Sequence, residues 1–160
     1  MKVFKFGGAS VKDAAGVKNL SSIVHQQHGQ LIVVVSAMGK TTNLLETLCN
    51  AYFHQDPEAT AVMKELKDFH LNIVTSLFPL NAPVYKHLEE LFINLENILA
   101  SESSLCYDYE YDRIICFGEL ISTTIISDYM EMEGIENQFI DIRKFLKTDQ
   151  NYRNANIDLE

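Results

Sequence analysis

The segment Leu31–Val35 limits the fold of this chain more than any other, because all five of its residues are apolar and four are β-branched. Such a run is typical of a strand buried on both faces of a sheet. A strand is also predicted at Lys2–Phe6, and apolar residues at helical spacing separate the two strands. Strands that alternate with helices predict an α/β fold with a mostly parallel sheet between two helical layers, a three-layer α-β-α sandwich.

The rest of the sequence adds helices and two more short strands. A helix is predicted near residues 43–53. Two apolar helical faces on either side of residues 78–83 predict a helical hairpin, because prolines interrupt the helix there. Strand character returns at residues 113–117 and at residues 138–142. The first apolar face of the hairpin contains Met63, Leu66, Ile73 and Leu77.

Composition excludes several classes of protein. With 160 residues, of which 47% are hydrophobic and 22% charged, the chain suits one domain or part of a larger one. A net charge of −9 argues against a general nucleic-acid binder, and no apolar run approaches the roughly 18–20 residues of a membrane span. The start lacks a signal-peptide pattern, and three distant cysteines without a CxxC motif favour reduced, buried thiols. We therefore expect a cytoplasmic protein.

The charge is unevenly distributed along the chain. Residues 1–40 contain five lysines and one aspartate, whereas the remaining 120 residues carry eight basic and 21 acidic side chains. A basic segment in an acidic protein is typical of a site for an anionic ligand. Chance placement on solvated helix faces is the alternative explanation.

The first predicted strand ends in the sequence KFGGAS, and ligands collect at the carboxyl ends of parallel strands. Gly7 and Gly8 permit positive φ and a close approach of the backbone, so that N–H groups can face an anion. Ser10 offers a hydroxyl and a cap for the following helix, and Lys5 can hold phosphate oxygens. A tight turn beside a surface lysine is the alternative, but the flanking lysine and serine favour a phosphate site.

Two further strand ends carry polar groups. Ser36, Thr41 and Thr42 place three hydroxyls on the loop after the second strand, which suits recognition of a carboxylate. Glu119 follows Gly118 at the end of the strand predicted at residues 113–117, where it could pair with an ammonium group. Ordinary loop and helix-cap chemistry is the alternative for the hydroxyls, and a helix-start acid is the alternative for Glu119.

Three other patterns are weaker. The sequence GKT at residues 39–41 follows an apolar strand, but a P-loop needs a glycine at the position of Val34. His25 and His28 share a helix, yet no third metal ligand is identifiable near them. The acidic residues between 108 and 112 are more simply explained by a solvated loop leading into the sheet than by a cation site. We therefore predict no metal site in the protein.

The three strand ends together resemble the aspartate kinases of the amino acid kinase family. The resemblance is carried by KFGGASV at residues 5–11, VVVSAMGKTTNLL at residues 33–45 and FGELIS at residues 117–122. Their order and spacing match across nearly all of the chain. Two departures are mild, since Ala9 stands where the family usually has threonine and Cys116 where it often has serine.

This resemblance implies transfer of the γ-phosphoryl group of ATP, bound with Mg²⁺, to the β-carboxylate of L-aspartate. The product, 4-phospho-L-aspartate, opens the pathway to lysine, methionine and threonine. Lys5 is the implied catalytic residue, which neutralises charge on the transferring group. The residues implied to hold the ATP phosphates are Lys5, Gly7, Gly8 and Ser10. The residues implied to bind substrate are Ser36 and Thr42 at the carboxylate and Glu119 at the ammonium group.

The resemblance also implies a larger protein. Residues 1–160 correspond to the N-terminal lobe of the kinase domain, with the nucleotide lobe and regulatory ACT domains outside them. We therefore expect the fragment to be inactive alone and the full-length protein to be a homo-oligomer. Two alternatives stay open: an amino acid kinase with another acidic acceptor such as glutamate, and a non-catalytic module that binds an anionic amino acid or nucleotide.

Overall fold

The computed structural model describes residues 1–158, which form four strands, six α-helices and two 3-10 helices. The strands are β1 (Lys2–Phe6), β2 (Leu31–Val35), β3 (Lys147–Thr148) and β4 (Ile157–Asp158). The α-helices are α1 (Ala14–His25), α2 (Thr41–Phe53), α3 (Glu58–Leu77), α4 (Val84–Leu99), α5 (Tyr107–Ile115) and α6 (Phe117–Met132). The 3-10 helices are Gly8–Val11 and Ile142–Lys144.

The first two strands and the helix between them form the predicted β-α-β unit. β1 and β2 are parallel, with Lys2 opposite Leu31 and Phe6 opposite Val35. Asp13 caps α1 by accepting a hydrogen bond from the Gly16 N–H at 2.8 Å. The α/β class and the parallel sheet are thus confirmed.

The two faces of this sheet differ in burial. Val35 is buried, and Phe6 and Val33 are half-buried against the core. On the opposite face, Val3 and Val34 are 60% and 43% exposed. The sequence predicts a strand buried on both faces at Leu31–Val35, but within residues 1–158 only one face of this strand is covered.

The helical hairpin is confirmed as α3 and α4, with residues 78–83 between them. Its apolar faces join α2 and α6 in one core, in which Leu66, Leu88 and Leu95 are fully buried. Burial of each such side chain contributes about 1.5–3 kcal/mol to folding. The hairpin therefore belongs to the same core as the sheet, and it packs beside the strand ends.

The strand predicted at residues 113–117 is wrong, because this region consists of the end of α5 and the start of α6. Glu110 is buried, and its carboxylate accepts a hydrogen bond from Arg113 Nη1 at 2.9 Å, which is a helical i,i+3 pair. Ile114, Phe117 and Ile121 then bury their side chains at helical spacing. The helical period, hidden by alternating acids and tyrosines, prevails over β-propensity here.

The strand predicted at residues 138–142 is also wrong. Within residues 1–158 it pairs with no strand, and the Asp141 side chain instead accepts a hydrogen bond from the Arg143 N–H at 3.1 Å, which caps the second 3-10 helix. The antiparallel pair β3–β4 beyond it has no counterpart among the predicted strands.

The three cysteines differ in their exposure. All are free, but Cys49 alone among them is fully buried, Cys116 is half-buried and Cys106 is exposed, so the prediction that all three are buried is wrong. None of the helices within residues 1–158 combines the length and apolar character that crossing a bilayer requires.

Candidate functional site

The loop at residues 7–11, here called the glycine loop, follows β1 directly. Gly7 is extended, with φ −76° and ψ 164°, and Gly8 begins the 3-10 helix. The expectation of positive φ at these glycines is wrong, because both have negative φ. Ser10 is likewise not the cap of α1. Its N–H donates to the Gly7 carbonyl at 2.9 Å, and Asp13 is the cap.

Gly8 is required by close backbone packing rather than by its φ angle. A Cβ atom at Gly8 would lie 2.5 Å from the carbonyl oxygen of Ala37, far inside van der Waals contact. The Gly39 N–H donates to the Gly8 carbonyl at 3.0 Å. The glycine loop therefore packs backbone to backbone against the loop that follows β2.

The loop after β2 and the first two residues of α2, residues 36–42 together, are here called the hydroxyl loop. Thr41 and Thr42 therefore begin the helix and do not lie on the loop as predicted. The Ser36 N–H donates to the Phe6 carbonyl at 3.0 Å, which extends the β1–β2 pairing by one bond. Gly39 has φ +55°, a left-handed conformation that suits glycine. Thr41 is fully buried, and its hydroxyl donates to the Met38 carbonyl at 2.6 Å. Thr41 is therefore committed to the loop itself, and its expected role toward a carboxylate is wrong.

The first turns of α6 also contact the hydroxyl loop. Glu119 lies in the first turn of this helix rather than at a strand end, and its Oε1 accepts a hydrogen bond from the Ala37 N–H at 3.2 Å. The Ser122 hydroxyl donates to the Ser36 carbonyl at 2.9 Å. A Cβ atom at Gly118 would lie 2.8 Å from the Ala37 Cβ, so this glycine permits the close approach of α6.

The structure brings together the three segments that carry the predicted site residues. Hydrogen bonds or close packing join the glycine loop, the hydroxyl loop and the first turn of α6. Within residues 1–158, no hydrogen bond occupies the side chains of Lys5, Ser10, Ser36 and Thr42. Glu119 keeps one carboxylate oxygen without a partner in the same part of the chain. The arrangement can therefore offer a lysine and hydroxyls to an anion and a carboxylate to a cation.

Two titratable side chains near the site are neutral. Burial raises the pKa of the Cys116 thiol, although Arg143 Nη1, 3.3 Å from its sulfur, lowers it in part. A thiol with a raised pKa is a poor nucleophile at neutral pH. Burial also lowers the pKa of His70 to about 4, against a weaker effect of the Leu66 carbonyl.

His70 is the residue that sequence reasoning missed. It is fully buried in α3, with Nε2 3.2 Å from the Thr41 hydroxyl and Nδ1 2.8 Å from the Leu66 carbonyl. A signal was present in the sequence, since His70 falls between Leu66 and Ile73 on the predicted apolar face of α3. A polar residue on such a face needs a hydrogen-bond partner.

The residues considered as metal ligands in the sequence can be located in the structure. Within residues 1–158, no three His, Cys, Asp or Glu side chains come together as metal ligands. His25 and His28 are both exposed. The acids at 108–112 lie on α5 rather than in a solvated loop, and Glu110 among them is paired with Arg113.

An open groove lies along α2. It has a volume of about 640 Å³ and is lined along α2 by Asn43, Glu46, Asn50 and residues as far as Glu58. It contains none of the predicted site residues, and its acidic lining does not suit a phosphate. The strand ends, not this groove, carry the chemistry predicted from the sequence.

Comparisons with known proteins are consistent over the whole chain. The sequence matches the amino acid kinase family over residues 1–159. It is 28% identical to the aspartokinase of Chlamydia pneumoniae and 27% identical to lysine-sensitive aspartokinase 3 of Escherichia coli, over 99% and 98% of this chain. The fold is similar to the crystal structure of E. coli aspartokinase III in complex with aspartate and ADP, with a TM-score of 0.87 and 25% identity over 99% of this chain. The chain spans about a third of these proteins, 33%, 34% and 35% respectively.

Proposed function

The chain belongs to the amino acid kinase family, and from that membership we propose that it carries the phosphate and acceptor sites of an aspartate kinase. The reaction is transfer of the γ-phosphoryl group of ATP to the β-carboxylate of L-aspartate. Relatives named as aspartokinases, and a similar structure that binds aspartate and ADP, support this choice of substrates.

The proposal rests on one observation: the backbones of the glycine loop and the hydroxyl loop pack directly against each other. Gly8 lies against the Ala37 carbonyl, and Gly39 donates to Gly8 at 3.0 Å. Phosphoryl transfer depends on holding donor and acceptor in line and on neutralising charge. Two loops fixed to each other in this way suit that requirement.

Each predicted residue has a role in the proposed reaction. Lys5, Gly7, Gly8 and Ser10 hold the ATP phosphates, and the Lys5 ammonium neutralises charge that develops on the transferring group. Ser36 and Thr42 bind a carboxylate of aspartate. Glu119 pairs with the substrate ammonium through the oxygen that Ala37 leaves free.

Magnesium enters the proposal as part of the substrate. The ion is bound to the ATP phosphates, and no metal-binding cluster within residues 1–158 competes for it. We propose that the lobe that binds the nucleotide base and any regulatory ACT domains lie outside these 160 residues, in a longer protein that is a cytoplasmic homo-oligomer in lysine, methionine and threonine synthesis.

The proposal is tested on the complete gene product. Incubation with Mg-ATP and aspartate should release ADP and form an acyl phosphate that hydroxylamine traps as the hydroxamate. Glutamate in place of aspartate should react far more slowly, and preference for glutamate would select the sister kinase. Aspartate binding in a calorimeter with no ADP release would instead select the binding module.

Glu119 provides the sharpest test of the acceptor site. Glu119→Gln keeps an oxygen for the Ala37 N–H but removes the charge, and it should raise KM for aspartate about 10- to 100-fold because the substrate ammonium loses its ionic partner. Glu131→Gln, an exposed acid in the last turn of the same helix, is the matched control. Equal kinetics for both variants would exclude Glu119 from the site.

A further inference from the structure

Two adjacent residues of helix α3 contact the hydroxyl loop. The ring of Phe69 lies beside Gly39, where an added Cβ would be 3.3 Å from Phe69 Cζ. The next residue, His70, reaches the Thr41 hydroxyl with Nε2 at 3.2 Å. The two rings pack edge to face, with centroids 4.9 Å apart. The hairpin is thus in direct contact with the loop that carries Ser36 and Thr42.

The protons between His70 and the loop can be assigned from the acceptors. The Leu66 carbonyl can only accept, so His70 Nδ1 carries a hydrogen and donates at 2.8 Å. In the neutral ring, Nε2 is then an acceptor. The Thr41 hydroxyl has one hydrogen, which it donates to the Met38 carbonyl at 2.6 Å and shares with the acceptor Nε2 at 3.2 Å as a three-centre hydrogen bond. This connects α3 to the turn at residues 38–41 through a fully buried path.

We propose that His70 is a positioning residue, which through Thr41 fixes the turn at residues 38–41 and thereby the places of Ser36 and Thr42 at the acceptor carboxylate. The inference rests on the proposed function for the identity of the acceptor. It does not require His70 to touch substrate. His70 and Thr41 are both fully buried, so their interaction forms inside the folded protein and does not depend on bound substrate.

Three variants separate positioning from packing. His70→Leu keeps a large apolar side chain but removes both hydrogen bonds, and it should raise KM for aspartate about tenfold while KM for ATP changes less than about twofold. His70→Gln offers an amide that can still reach Thr41 and should restore KM to within about threefold of wild type. Val74→Ala, one turn along α3, is the control for lost stability, since the Val74 side chain is fully buried and wholly apolar and its loss should leave both KM values unchanged.

A second readout is independent of activity. Amide hydrogen exchange at Gly39 and Thr41, whose N–H groups bond to Gly8 and Met38, should become about tenfold faster in His70→Leu than in His70→Gln. If His70→Leu fails to fold, Thr41→Val removes the contact with His70 from the loop side, together with the bond to the Met38 carbonyl, at nearly constant volume, and should give the same two changes. Unchanged exchange together with unchanged KM in either variant would overturn the inference.

The two proposals fail in different ways. A wild-type protein without aspartate-dependent transfer would contradict the proposed function, while faster exchange in His70→Leu would still support the positioning role. A wild-type aspartate kinase in which Val74→Ala raises KM as much as His70→Leu would overturn the positioning role alone, because stability would then explain both variants.

Discussion

The side chains around the strand ends fall into two groups that differ in their hydrogen bonding. The rim has side chains without partners within residues 1–158: Lys5, Ser10, Ser36 and Thr42. The support consists of residues that are closely packed or hydrogen-bonded: Gly8, Thr41, His70, Gly118 and Ser122. Gly8 belongs to it by its packing, although the proposed reaction also assigns its backbone to the ATP phosphates. Glu119 belongs to both, with one oxygen bonded to Ala37 and one free. The difference predicts that rim substitutions reduce transfer with little effect on folding, whereas support substitutions reduce folding and affect transfer only through the position of the rim side chains.

The largest expected effect comes from the rim. In the proposed reaction, Lys5→Ala should lower kcat about 10²–10³-fold, because it would remove a charged donor from the transferring group. Its free energy of unfolding should stay within about 0.5 kcal/mol of wild type, since Lys5 is exposed and its side chain makes no hydrogen bond in the described chain. Lys2→Ala, whose ammonium bonds to Gln27 at the other end of β1, is the matched control. A loss of less than about threefold in steady-state kinetics would remove Lys5 from the reaction.

Acid should weaken the support, because His70 belongs to it. The pKa of His70 is lowered to about 4 in the folded state by burial, against about 6.5 in an unfolded chain. Between these values the unfolded state binds more protons, so the contribution to stability is fully present above about pH 6.5 and is lost as pH falls to about 4. The loss amounts to about 3 kcal/mol, and denaturant unfolding at pH 7, 6, 5 and 4 would measure it.

The control for this pH dependence is His70→Gln, which cannot titrate. The variant should show a flatter stability profile than wild type between pH 6.5 and 4, with the same behaviour above that range. Carboxylates whose pKa is lowered, such as Asp141, lose their contribution at lower pH in both proteins. Parallel profiles for the two proteins would show that His70 is not buried as a neutral ring.

Local patterns in the sequence predict much of the rim. The β-branched run of β2, the helical spacing in α1 and α2, and the prolines of the hairpin depend on neighbouring residues alone, and the structure confirms each of these elements in place. The rule that ligands gather at strand ends places Lys5 and Ser36 in one region on the basis of sequence alone. Their roles toward ATP and aspartate stay predictions.

The support could not be predicted because it depends on contacts between distant segments. The sequence assigns Gly8 to the right loop for the wrong reason: its negative φ needs no glycine, but the Ala37 carbonyl leaves no room for a Cβ. Glu119 is predicted at a strand end, whereas burial of Ile114 and Phe117 makes that region helical. His70 meets Thr41 across 29 residues, which periodicity alone does not show.

A pair of glycine variants tests, within the glycine loop, which residue is needed for close packing. Gly8→Ala should destabilise the protein by about 1–3 kcal/mol, because its Cβ would be forced to within 2.5 Å of a backbone oxygen. A Cβ atom at Gly7 would meet nothing within 4 Å, and the φ of −76° suits alanine. Gly7→Ala should therefore leave the free energy of unfolding unchanged or raise it slightly. Denaturant melts of both variants make the comparison, and equal losses would refute the close packing of the two loops.

The smallest expected effect tests whether support and rim are separate at the level of one hydrogen bond. Ser122→Ala removes the bond to the Ser36 carbonyl and should cost about 1 kcal/mol of unfolding free energy. Thr123→Ala, whose hydroxyl has no partner within residues 1–158, should be neutral or stabilising by helix propensity. KM for aspartate should change less than about threefold in Ser122→Ala, because the Ser36 N–H stays bonded to Phe6. A larger rise in KM without loss of stability would contradict this separation, because Ser122 would then affect the acceptor site directly or through Ser36.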